Sequence, residues 1–160
     1  MAATHPLLAA LAATGLLIGC SSTPEPTAGT AGTGASGSST IRPGSQEDLV
    51  ANVGDRVFFD TDRSSVRADQ RAVLERQARW MATNAAVQVM VEGHADERGT
   101  REFNLALSQR RANSARDILV ASGVAGSRIQ TVSFGKDRPD ALGSSEDSWA
   151  RNRRAVTAVR

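Results

Sequence analysis

Between Ser21 and Ser45 the chain carries almost no large apolar side chain, and this break decides which part can fold. The stretch SSTPEPTAGTAGTGASGSSTIRPGS is mostly Ser, Thr, Gly, Ala and Pro. It cannot bury enough surface to offset the entropy of ordering, so it reads as a flexible tether. A coil of about 25 residues has an r.m.s. span of roughly 27 Å and a limit of about 80 Å. Folding is therefore expected only within residues 46–160, long enough for one domain with a modest core and no covalent staple. Cys20 is the single cysteine, so an intramolecular disulfide is excluded.

Ahead of the tether, Leu7–Ile18 (LLAALAATGLLI) is an apolar run of signal-peptide length, short for a membrane span. It ends in Leu17-Ile18-Gly19-Cys20, which resembles the lipobox of bacterial lipoproteins. A thiol is the nucleophile such chemistry needs, and small neighbours admit the chain to a protease. Several acyl chains then give stable anchoring where one is marginal. The expected division is a leader over 1–19, a lipidated Cys20 with tether over 20–45, and a folded domain over 46–160. Met1–Pro6 lacks the usual Lys or Arg. Either His5 and the free amino group suffice, or the true start lies upstream. Ser21 after the cysteine is compatible with the outer membrane.

Within 46–160, hydrophobic periodicity orders the elements. Asp55–Asp60 (DRVFFD) reads as a strand and Asp69–Asn84 as a helix with Val73, Leu74, Gln77, Trp80 and Met81 at helical spacing. Val87–Glu92 alternates as a second strand, and Gly93–Thr100 is a loop. Glu102–Ser122 is a long helix closed by Gly123. Ile129–Phe134 is a third strand, Glu146–Asn152 a short helix and Arg154–Val159 the last strand. The class is α/β in the sense of an α+β sandwich. A mixed sheet of about four strands, in βαβαβ-type order, carries helices on one face.

The long helix holds the most informative pattern. With Ala115 and Ile118 facing the core, Phe103, Leu107 and Leu119 flank that face, while Gln109, Asn113, Arg116 and Asp117 point away. Asn104, Ser108 and Arg111 also fall inward, as a polar stripe. A buried arginine without a partner is costly. Arg111 is therefore expected to meet a carboxylate, with Asp96 in the preceding loop the candidate, or to border a cleft where a ligand supplies one. Asp beside Arg complements a zwitterion, since one receives an ammonium and the other a carboxylate. The plainer alternative is an Asp–Arg bridge that ties the loop to the helix.

Val91–Thr100 (VEGHADERGT), Glu102-Phe103-Asn104 and Ser108–Asn113 (SQRRAN) together resemble the peptidoglycan-binding signature of the OmpA-like family. Gly135-Lys136 and Asn152-Arg153-Arg154 fall where that family has its later motifs, and GHADERGT with the lipobox is similar to its Pal branch. The resemblance covers about residues 55–160 plus the anchor. It implies that Asp96 and Arg111 bind the zwitterionic end of meso-diaminopimelate in the stem peptide. It also implies contributions from Phe59 and Asp60 at the end of the first strand and from Asn104 and Leu105 at the helix start. His94 shapes the loop or borders the site. The implied role is an outer-membrane lipoprotein, lipid-anchored on the periplasmic face. It would tether membrane to wall in the Tol–Pal system and support membrane integrity and constriction at division. The implied partners are peptidoglycan, the propeller protein TolB competing for overlapping surface, and other Tol-system and outer-membrane proteins.

Other functions fit less well. One domain histidine gives no His-based metal cluster, and no cofactor is expected. Glu92, Asp96 and Glu97 are acidic, but no carboxylate pair faces another across a cleft as glycoside hydrolysis requires, so an enzyme is not expected. Arg151, Arg153 and Arg154 lack an interleaved aromatic platform, which disfavours nucleic acid. Lys136 is the only lysine and the net charge is +2. Trp80 and Trp149 read as core or rim packing. A wall-binding OmpA-like lipoprotein outside the Tol–Pal system is the alternative role.

Overall fold

A computed structural model of the chain describes residues 41–160. The apolar run, Cys20 and the tether as far as residue 40 lie outside the described residues. No helix among the described residues is long and apolar enough to cross a membrane.

The elements run α1 (Gln46–Asn52), β1 (Arg56–Phe58), α2 (Ala68–Thr83), β2 (Val89–Gly93), α3 (Arg101–Ala121), a 3-10 turn (Gly126–Arg128), β3 (Ile129–Ser133), α4 (Glu146–Asn152) and β4 (Arg154–Val159). The sheet order is β1-β4-β2-β3. β2 pairs parallel with β3, whereas β4 runs antiparallel to both β1 and β2. This is the expected mixed four-stranded sheet. The first strand is shorter than expected, yet its pairing continues beyond the ladder through Thr157 N–H to the Asp55 carbonyl (2.7 Å) and Phe59 N–H to the Arg153 carbonyl (2.9 Å).

Alternation along the strands fixes one buried face. Register aligns Ser133, Gly93, Ala155 and Val57 in one row across the sheet, and Thr131, Val91 and Thr157 in the next. Helices α2 and α3 cover these rows. Leu74, Ala78 and Met81 of α2 and Ala112, Ala115 and Leu119 of α3 join Val57, Val89 and Val91 in one core. The buried amide of Gln77 on α2 is satisfied from both sides. It donates to the Gly54 carbonyl (2.7 Å) and accepts from Thr157 Oγ1 (2.8 Å).

Helix α1 was not among the expected elements. It rests on a local cap and a long-range tie: the Ser45 hydroxyl accepts from the Asp48 N–H, and Asp48 accepts from the Gly44 N–H (2.9 Å) and from Trp80 Nε1 of α2 (2.8 Å). Leu49 then reaches the core, fully buried. Trp80 is thus a buried tie between helices, and Trp149 belongs to the rim of the site.

Candidate functional site

Helix α3 starts on a sequence-encoded cap. Thr100 accepts from the Phe103 N–H (3.2 Å), and Gly99 takes φ +86° just before it. This fixes the rotation that turns Asn104, Ser108 and Arg111 inward, and all three are buried. The Asn104 amide donates to the Arg98 carbonyl (2.7 Å), pinning the end of the 93–100 loop. Ser108 donates to the Asn104 carbonyl and lies 2.8 Å from Ser133 Oγ. Phe103 departs from the expected inner flank. It is 45% exposed and borders an open groove of about 240 Å³ with Thr61, Asp62, Arg98 and Gly99.

Arg111 is fully buried, and its partners differ from those expected. Its guanidinium donates to three backbone carbonyls: Nε to Arg63 (2.8 Å), Nη1 to His94 (2.9 Å) and Nη2 to Asp60 (3.1 Å). It stands 5.3 Å from the centre of the Phe59 ring. A guanidinium has five N–H donors, so two have no acceptor among the described residues. Burial pushes its pKa down to about 10, opposed by the nearby Asp96 charge, and it stays protonated at neutral pH. One cation thereby holds the β1–α2 turn against the 93–100 loop.

Asp96 is buried as well, but no Asp96–Arg111 ion pair forms. Asp96 Oδ1 accepts from the Arg98 N–H (3.1 Å) and Arg98 Nε (3.0 Å), and Oδ2 accepts from Arg98 Nη2 (2.7 Å). Arg153 Nη1 stands 3.5 Å from Oδ2. Burial pushes this carboxyl up, yet the Arg98 bonds and the Arg98 and Arg153 charges outweigh it and hold the group below its ordinary value. The physical reason is proximity. Arg98 lies two residues away on the same loop, whereas Arg111 is committed to carbonyls that only the folded backbone brings near.

The other expected residues fall as follows. Phe59 is buried, and its carbonyl accepts from Arg153 Nε (3.1 Å). Asp60 contributes its carbonyl to Arg111, while its exposed carboxylate faces Arg67 at 3.6 Å. His94 is buried and contributes its carbonyl, not its ring. Its two ring nitrogens have no hydrogen-bond partner among the described residues, and Glu92 Oε2 is 3.7 Å from Nε2. Burial, reinforced by Arg154, lowers its pKa to about 4. Leu105 lies half-buried beside Gly135, on the β3 side of α3.

Sequence reasoning missed Arg98 and Arg153 as site residues. Arg153, expected only as part of a later motif, is buried and pairs with Glu146 (2.6 Å). Arg98 lies over the Trp149 ring at 4.1 Å, and Trp149 Nε1 donates to Glu97 (3.0 Å). Lys136 Nζ donates to the Glu97 (3.1 Å) and Gly99 (2.7 Å) carbonyls, tying the β3–α4 segment to the same loop. The signal available was the spacing Asp96-Glu97-Arg98, an acid and a base placed for a local turn pair.

Comparison with known proteins agrees with this architecture. The OmpA family model matches residues 58–153. A peptidoglycan-associated lipoprotein of Mesorhizobium japonicum is 50% identical over 155 residues, covering 97% of this chain and 92% of the relative. One of Rhizobium meliloti is also 50% identical, over 98% of this chain and 89% of the relative. The crystal structure of the peptidoglycan-associated lipoprotein from Burkholderia pseudomallei superposes with a TM-score of 0.66 at 37% identity, covering 71% of this chain and all of that one. The chain belongs to the OmpA family, in its branch of peptidoglycan-associated lipoproteins.

Proposed function

We propose that the domain holds peptidoglycan non-covalently by the zwitterionic end of meso-diaminopimelate in the stem peptide. The observation that carries this reading is a buried, charged Arg111 with no carboxylate on it, beside a buried Asp96. A cation in that position draws a ligand carboxylate, and Asp96 receives the adjacent ammonium. The relatives' shared name, peptidoglycan-associated lipoprotein, supports peptidoglycan as the polymer that is held.

Capture without turnover fits the carboxylates. Asp96 and Glu97 are both shifted down, by Arg98 and by hydrogen bonds from Ser144 and Trp149 respectively, so neither is kept protonated as a general acid. With Cys20 lipidated and the tether slack, the domain would link outer membrane to wall from the periplasmic face. Within the Tol–Pal system it would exchange wall for TolB on overlapping surface and support constriction at division, as the family resemblance implies.

Calorimetric titration of the whole chain with a soluble stem tripeptide tests the ligand. The meso-diaminopimelate peptide should bind, and the peptide with lysine in its place should bind at least tenfold more weakly, because lysine lacks the distal carboxylate. Equal binding of the two would exclude the zwitterion as the recognised group.

A further inference from the structure

A carboxylate has about four lone-pair positions, and on Asp96 three of them hold hydrogen bonds, all from Arg98. Oδ1 carries the Arg98 N–H and Arg98 Nε, and Oδ2 carries Arg98 Nη2, while Arg153 Nη1 stands 3.5 Å from Oδ2 without a hydrogen bond. A ligand ammonium therefore finds both oxygens engaged by Arg98 and only one open position on Oδ2, faced by the Arg153 charge, so a full hold on Asp96 requires the Arg98 side chain to move.

Two of these partners cannot leave. The Arg98 N–H belongs to the loop backbone, whose carbonyl is fixed by Asn104. Arg153 is buried and held by the Phe59 carbonyl and by Glu146. The Arg98 side chain differs from both. It is 39% exposed, it lines the open groove with Thr61, Asp62, Gly99 and Phe103, and it has other acceptors in reach. Thr61 Oγ1 is already 3.4 Å from Nη2, and Asp62 and Glu146 both contribute attractive charge. Trp149 offers a flat surface along which the guanidinium can move without losing its stacking.

We propose that Arg98 is an internal substitute for the ligand's ammonium, a plug that occupies Asp96 in the free domain and swings into the groove when the wall binds. This rests on Asp96 being the ammonium acceptor. Replacing one cation by another keeps the buried carboxylate neutralised throughout, so the free site never holds a bare charge. The consequence is an apparent affinity reduced by the fraction of domains in which Arg98 has left. The plug also favours a ligand whose ammonium arrives with a carboxylate for Arg111, because a lone ammonium gains little over the guanidinium it displaces.

The test measures sedimentation of the full chain with purified diaminopimelate-type sacculi, and titration with soluble meso-diaminopimelate. Arg98→Met keeps the length and the apolar stem but removes the charge. Arg98→Lys keeps the charge but lacks the planar fork that grips both carboxylate oxygens. The plug predicts that Arg98→Met binds about three- to tenfold more tightly than wild type, with Arg98→Lys between them. If Arg98 instead positions Asp96, both variants bind more weakly, and weaker or unchanged binding with intact circular dichroism overturns the proposal. Asp96→Ala runs in parallel. If it still binds, the ammonium site is misassigned and the plug falls with it. If it fails to bind while neither Arg98 variant tightens, the plug alone is wrong.

Discussion

Gly93 of β2 and Ser108 of α3 approach so closely that a Cβ on Gly93 would sit 1.9 Å from the Ser108 carbonyl oxygen. No side chain fits there, and this contact sets how deeply the long helix beds into the sheet. It also sets where Arg111, three residues further along, meets the carbonyls of Asp60, Arg63 and His94.

Gly93→Ala should therefore lift α3 and destabilise the domain by about 3 kcal/mol or more. Gly123, the left-handed glycine after α3 (φ +97°), has open space around its Cβ position. Its replacement by Ala should cost only about 1 kcal/mol, from backbone strain alone. Urea denaturation of the two variants compares them directly, and equal losses would contradict the close-packing account.

Arg111→Ala should not be a silent binding mutant. It leaves three carbonyls short of a donor in a buried place, so a loss of at least about 3 kcal/mol is expected. Arg111→Lys keeps the charge but cannot serve three separated acceptors, and should lose less. Thermal melts decide this. A wild-type melting temperature in Arg111→Ala would mean the turn is held by something else.

Acid should weaken the fold through His94. In the unfolded chain this group takes a proton near pH 6.5, whereas in the fold it stays neutral down to about 4. The His94 contribution is unchanged above about pH 6.5, falls as pH drops from there to about 4, and is constant below, a change on the order of 2–3 kcal/mol. His94→Gln should flatten that limb. The difference in unfolding free energy between wild type and His94→Gln, measured from pH 7.5 to 4, should shrink or change sign toward acid. A constant difference would rule His94 out.

Sequence pattern made most of the fold legible. Glu146–Asn152 and Arg154–Val159 agree with the structure to the residue, because a Ser cap marks the first and a short run of small and β-branched residues the second. Helix α1 was not read, since seven residues show too little periodicity and its determinant is the Trp80–Asp48 bond, 32 positions apart. The site was half legible. A helical wheel gives the direction of Asn104, Ser108 and Arg111 but not what they meet. Carbonyl acceptors have no residue signature, so the three partners of Arg111 are invisible in sequence, and of its two expected surroundings, an Asp96 pair or a cleft, the direct pair does not form.

Cys20→Ser should move the protein from the membrane pellet to the soluble fraction on cell fractionation, since one thiol is the only attachment point for a thioether-linked lipid. Retention in the pellet would contradict the lipobox reading and leave the wall contact untouched.

The most direct measurement is co-sedimentation of the whole chain with purified diaminopimelate-type sacculi, wild type against Asp96→Ala, with released muropeptides assayed in the same tubes. The account predicts that wild type pellets with the sacculi and releases nothing, and that Asp96→Ala stays in the supernatant with its fold intact. Binding that survives Asp96→Ala, or release of wall fragments by the wild type, would contradict it.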